Sequence, residues 1–235
     1  MIQQLSTTQS RIPPGEYTLT EPLVVTSSLN CEGCRFKVAH DGPGIVLNRR
    51  WASIRGGRFD FPANSIGPMV QITNSVQCRV EGVNLRGGSS RLAVGIEVDG
   101  TQPTYFAAIV DVQIADAKIG IRLGEHANGA QVRNPFLERL GLVAFDFDHA
   151  LENRIDGGFV HGGGGSGGIT VIRMRNGSIY NHVTATAEPG NGAIPYDLGP
   201  GCNDNQILGQ LNCGGRPVDQ GTGNWIVRLG DKRNF

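Results

Sequence analysis

Short apolar pairs spaced i, i+2 return along this chain at a nearly constant interval. The pairs are Ile45/Leu47, Val70/Ile72, Ile96/Val98, Ile121/Leu123, Phe145/Phe147, Ile172/Met174, Tyr196/Leu198 and Val227/Leu229, and subtracting first members gives steps of 25, 26, 25, 24, 27, 24 and 31. The i, i+2 spacing places both side chains of a pair on one face of a β-strand. A second ladder runs in step with the first: Ile54, Val80, Ile109, Val132, Ile155, Ile179 and Ile207. Two residues after each of these comes Gly56, Gly82, Asp111, Asn134, Gly157, Asn181 or Gly209. Those residue types enter left-handed backbone conformations at least cost, so each marks a sharp bend between two strands. Beyond the bend the i, i+2 spacing returns, as in Val83 and Leu85 after Val80 or Val112 and Ile114 after Ile109. No segment carries a helical i, i+3, i+4, i+7 stripe longer than two turns.

A supersecondary unit repeated at this period stacks into a solenoid or an array. Three short strands, one bend and variable loops per repeat predict an all-β, single-stranded, right-handed parallel β-helix of about nine coils. Coils stacked roughly 4.8 Å apart would make a rod on the order of 40 Å long. A propeller fits less well, because its blades need about 40 or more residues in four strands. The outward positions between pair members support the same register. They read Glu97, Arg122, Asp146, Arg173, Asp197 and Arg228, so the sign alternates from coil to coil. Stacked opposite charges gain about 0.2 to 1 kcal/mol each, where like charges would repel. Within this register residues 1–15 form an N-terminal arm and 16–235 the β-helix.

Composition narrows the function classes. The formal net charge is zero, which leaves no electrostatic footprint for nucleic acid. No run approaches the roughly 18 apolar residues of a membrane helix, and Met1–Thr20 is too polar for a secretion signal. Five cysteines, an odd count without such a signal, predict reduced thiols and synthesis in a cytosol. Cys31 and Cys34 have zinc-ligand spacing, but Cys202 and Cys213 fall several coils away, so neither a metal nor a cofactor is predicted.

The segment Arg11-Ile-Pro-Pro-Gly-Glu-Tyr-Thr-Leu-Thr-Glu-Pro-Leu23 resembles the "PPG-x-Y-x-L…PL" lead-in to the first coil of pectate-lyase-like β-helix proteins, bacteriophage tail spikes and depolymerases above all. The resemblance implies a virion protein, made in the host cytoplasm, that assembles as a trimer with other virion proteins and contacts host-surface glycan. It also implies two alternatives: a polysaccharide lyase or glycoside hydrolase on the same fold, and a purely structural capsid or baseplate decoration. The chain departs from the spikes in lacking a recognisable head, trimerisation segment or capping helix. Open ends of a β-helix expose unpaired backbone, so a partner or a second copy is expected to cover at least one of them.

Stacking the coils gathers scattered polar residues at one corner. Glu125 and His126 follow Leu123, Asp148 and His149 follow Phe147, and Glu152 lies three further on. Side chains in equivalent loops of adjacent coils come within about 5 to 8 Å. Glu125, Asp148 and Glu152 are therefore candidate general acids or bases for a glycosidic bond. His126, His149 and Tyr105 are candidate glycan contacts, with Phe106 either beside them or tucked into the core. A solvated polar corner is the competing reading. Asp146 and Asp197 belong to the charge column. Asp156-Gly-Gly-Phe-Val-His161-Gly is only loosely like the His-Gly element of polygalacturonases, whose other elements are absent. The run Gly162–Gly168 is read as a flexible loop between coils.

Overall fold

The computed structural model describes residues 10–88, 90–163, 168–190 and 192–229. Every regular element among them is a β-strand, and every paired strand runs parallel to its partner in the next coil. The chain is a parallel β-helix of about eight turns. Residues 164–167, most of the glycine run, lie outside the described residues.

The first strands form a nine-stranded sheet: Leu23–Val25, Ile45–Leu47, Pro68–Ile72, Val94–Val98, Ile119–Leu123, Val143–Asp148, Thr170–Arg175, Ile194–Leu198 and Val218–Asp219. Seven of the eight predicted pairs stack in it, from Ile45/Leu47 to Tyr196/Leu198. Val227/Leu229 does not. After Tyr196/Leu198 the sheet continues with Asp197 opposite Val218, whereas Val227 lies opposite Leu208 in the other sheet. The final step of 31 thus spans a change of face rather than one long coil. Arg228 accordingly leaves the charge column, which ends Glu97–Arg122–Asp146–Arg173–Asp197–Val218.

That column is bonded as well as stacked. Arg122 reaches Glu97 and Asp146, both at 3.2 Å, and Arg173 meets both oxygens of Asp146 at 2.8 and 2.9 Å. Arg175 adds a contact to Asp146 at 3.3 Å. Asp146 is 0% exposed. Burial pushes its carboxyl upward, but hydrogen bonding to Arg173 and the charges of Arg173 and Arg175 outweigh that and hold it below the usual carboxylate range.

Second strands (Ser28–Asn30, Ser53–Arg55, Arg79–Glu81, Ala108–Val110, Gln131–Arg133) and third strands (Cys34–Val38, Arg58–Asp60, Asn84–Arg86, Gln113–Ala115, Phe136–Leu140) are separated by the predicted bend. Gly56, Gly82, Asp111, Asn134 and Gly157 all have positive φ there, between 48 and 69°. At Arg154–Gly163 the two faces merge into one ten-residue strand with a register shift at Ile155/Gly158. The following coils keep the merged form in His182–Glu188, Gln206–Leu211 and Trp225–Arg228. Ile155 therefore stacks on Val183, not on Ile179, and Gly209 sits inside a strand opposite Ala185.

Asn181, expected as a bend residue, is instead one of four buried or partly buried asparagines stacked one per coil. The Oδ1 of Asn153, Asn181, Asn205 and Asn224 accepts the backbone N–H of Ala130, Asn153, Asn181 and Asn205 respectively, at 2.9 to 3.0 Å. Each Nδ2 donates to a backbone carbonyl of a neighbouring coil, those of Ala127, Ala150, Ser178 and Cys202. Asparagine serves because one side chain satisfies an orphan donor and an orphan acceptor at a corner where the sheet ladder is interrupted. Between the faces, Tyr17, Phe36 and Phe59 stack ring on ring, and Phe145 and Phe147 fill the middle coils. All five cysteines are free and buried. Burial, with the neighbouring Cys34 thiol adding to it, pushes the Cys31 thiol up to about 12, and burial pushes that of Cys213 up to about 11. Both pack in the core as buried thiols.

Candidate functional site

A fourth, minor ladder that the three-strand scheme does not contain builds the corner between first and second strands. Thr104–Tyr105 pairs with Ala127–Asn128, and single bridges extend the ladder from Val76 through Leu151 to Ile179. Strand alternation then sorts the residues. Ser75, Thr104, Ala127, Ala150 and Ser178 point inward and are buried, so small residues are required. Tyr105, Asn128, Leu151 and Ile179 point outward and form the floor of an open groove of about 320 Å³.

The loop that precedes this ladder supplies one wall: Pro103, Glu125, His126, His149 and Gly177. His126 and His149 each lie two residues before a bridged partner (Asn128 and Leu151), so they stack one coil apart. Each imidazole has a carboxylate at its Nδ1, Asp99 at 3.4 Å for His126 and Glu125 at 3.6 Å for His149. The Glu125–His149 pair is open to water, at 63 and 58% side-chain exposure, and contributes little to stability. The Asp99 carboxylate is the firmer of the two anchors, because it also accepts the backbone N–H of Gly100 at 2.7 Å and that of His126 at 3.4 Å. Gly124 lies against it, and a Cβ there would collide with the carboxylate. Asn74, with φ of 49°, pins the preceding coil's loop by accepting the N–H groups of Thr101 and Gln102.

Four predicted residues thus converge on the groove: Tyr105, Glu125, His126 and His149. Asp148 turns away, with its carboxylate 2.8 Å from Arg175 and 2.6 Å from the amide of Asn176. Glu152 is exposed next to the floor residue Leu151 and does not line the groove. Phe106 is not in the core; it is 56% exposed with φ of 56°, so the chain flips its ring outward next to Tyr105. Asp99 and Asn74 carry no pattern that singles them out in the sequence. Only the coil-on-coil register reveals what they hold.

Chemically, the groove offers one aromatic ring, two imidazoles with their Nε2 atoms uncommitted among the described contacts, and one exposed carboxylate. No three His, Cys, Asp or Glu side chains converge as a metal site among the described residues. No helix among them is long and apolar enough to cross a membrane. Fold and groove together define a parallel β-helix with an open, polar-aromatic corner cleft. No protein-family model matches the chain, and no curated protein matches it.

Proposed function

We propose that this protein is a bacteriophage virion component, a tail-spike- or fibre-like β-helix that assembles as an oligomer, a trimer by analogy with the spikes, and contacts glycan on the host surface. The observation that carries the reading is the convergence of Tyr105, His126, His149 and Glu125 on one open groove. Sugars are bound by an aromatic ring face against pyranose C–H groups together with polar side chains that exchange hydrogen bonds with hydroxyls, and this groove offers both. The lead-in motif at Arg11–Leu23 points to the same class of protein.

Binding without cleavage is favoured over depolymerisation. Glycoside hydrolysis uses two carboxyl groups flanking the scissile bond. Of the three candidate acids only Glu125 lines the groove, while Asp148 is committed to Arg175. The test pairs retention with turnover. Capsule and lipopolysaccharide extracts should retard the protein in affinity electrophoresis, Tyr105→Ala and His149→Ala should weaken the retardation, and no reducing or unsaturated ends should appear. Release of such ends, abolished in Glu125→Gln, would replace this reading with the enzymatic one. Retention by neither glycan, with recovery of the chain in purified virions, would leave a structural role.

A further inference from the structure

The residues that follow the minor ladder share one backbone conformation through eight coils. Trp51, Gln77, Phe106, Gly129, Glu152, Tyr180, Asp204 and Gly223 have φ between 55 and 69°. Each precedes a buried or partly buried residue of the neighbouring column: Ala52, Cys78, Ala107, Ala130 and then the four asparagines. The left-handed region is cheap for glycine and tolerable for Asp, while bulky side chains enter it at a cost of about 1–2 kcal/mol. Gly129, Asp204 and Gly223 are what stability alone selects at this corner. Trp51, Phe106 and Tyr180 are not, and they gain no core packing in return, being 61, 56 and 56% exposed. Two of these rings, Trp51 and Phe106, are nevertheless held in place. The Trp51 indole N–H donates to Gln77 at 2.7 Å and the Arg50 guanidinium covers one ring face at 4.3 Å. Phe106 lies over Gly129, where a Cβ would stand 2.8 Å from its ring. Strain at exposed, oriented rings points to a ligand.

We infer that the groove is the middle of a longer stripe, and that the stripe takes an extended, uncharged glycan chain lying parallel to the rod axis. This rests on the glycan-contact reading above and adds the ligand's direction, length and charge class. From Trp51 to Tyr180 the column advances five coils, roughly 24 Å at the inter-strand spacing. The charge class follows from what the stripe exposes. In the middle of the stripe Glu125 and Glu152 reach solvent and Arg175 is engaged by Asp146 and Asp148, while the exposed Arg49 and Arg50 lie only at its Trp51 end. A polyanion crossing the groove would pass these two carboxylates with no arginine or lysine lining the groove itself.

The test uses the full chain, with soluble dextran, mannan and galactan as neutral probes and polygalacturonate, alginate and hyaluronan as acidic ones. Retardation is read by affinity electrophoresis. Trp51 emission is read in a Trp225→Phe background, which leaves Trp51 as the only tryptophan of two. At least one neutral polymer should bind and shift that emission, its hexasaccharide more tightly than its disaccharide. Trp51→Gly, Phe106→Gly and Tyr180→Gly should each weaken binding by roughly two- to tenfold, the range of single aromatic contacts. Because glycine relieves the left-handed strain, their melting temperatures should be unchanged or raised. Tighter binding of an acidic polymer overturns the charge class. Glycine variants that bind normally, while Tyr105→Ala does not, overturn the stripe and leave the groove. Glycine variants that lose stability together with binding make the rings structural. Binding of none of the six polymers overturns the stripe, whereas the glycan contact itself stands or falls with the capsule and lipopolysaccharide extracts.

Discussion

Asp146→Asn tests whether the outward charge column stabilises the rod. The amide keeps the volume but strips the negative charge from three guanidinium groups, those of Arg122, Arg173 and Arg175. Removing one partner of a buried ion pair costs about 3–5 kcal/mol. The arginine side chains here are 24 to 37% exposed, so water recovers part of that. The expected loss is about 2–3 kcal/mol at neutral pH. The pH dependence supplies a second axis. The folded Asp146 carboxyl titrates below its unfolded value, so its contribution is fully present above the ordinary carboxylate range and is lost as pH falls through that range and below it. Urea midpoints followed by circular dichroism should therefore differ by a constant amount between about pH 7 and 5, and the difference should shrink toward pH 3. A neutral-pH difference below about 1 kcal/mol, the range of exposed pairs, would refute the reasoning. So would a difference that persists undiminished in acid.

Three further outcomes are expected. Asn181→Ala removes the acceptor of the Asn153 N–H and the donor to Ala150, leaving buried groups unpartnered at about 1–3 kcal/mol each, so the urea midpoint should fall well below that of an exposed-site control. Ile121→Asp, on the buried face, should abolish folding by circular dichroism, since an unpaired buried charge costs several kcal/mol. Arg122→Ala, one residue away and outward, should cost about 1 kcal/mol because Asp146 keeps Arg173 and Arg175; equal effects of the two would contradict the register. Finally, no thiol of the folded protein should react promptly with a thiol-exchange reagent, and all five should react on unfolding.

The register was legible where a strand shows alternating burial over at least three residues. Burial alternates so at five of the seven stacked pairs, Phe145/Phe147 and Tyr196/Leu198 being the exceptions, and the outer charges repeat from Glu97 to Asp197. It fails where a similar local pattern serves another face. Val227/Leu229 has the right spacing but lies in the merged sheet, and the true successor, Val218–Asp219, is too short to carry a pair. Ile179 misled for a related reason: it belongs to the minor ladder, where Val76 and Leu151 are also apolar and face outward. The asparagine column was present in the sequence at Asn153, Asn181, Asn205 and Asn224, yet asparagine more commonly signals a bend, and only stacking separates the two roles. The corner groove was partly legible, because its loops follow directly on the first ladder. The strained aromatics were not, since nothing local announces a Trp or Phe in a left-handed conformation.

The alternating column has one more consequence, which concerns how such a rod can change length. Solenoids grow by duplicating a coil, and the inner ladders permit this anywhere, because an aliphatic residue stacks as well on a copy of itself as on its neighbour. The outer column does not. Copying the single coil that carries Arg122 would set arginine on arginine, whereas copying it together with the Asp146 coil preserves the alternation. Between Glu97 and Asp197 the charges therefore act as a parity check, under which viable length variants gain or lose coils in twos.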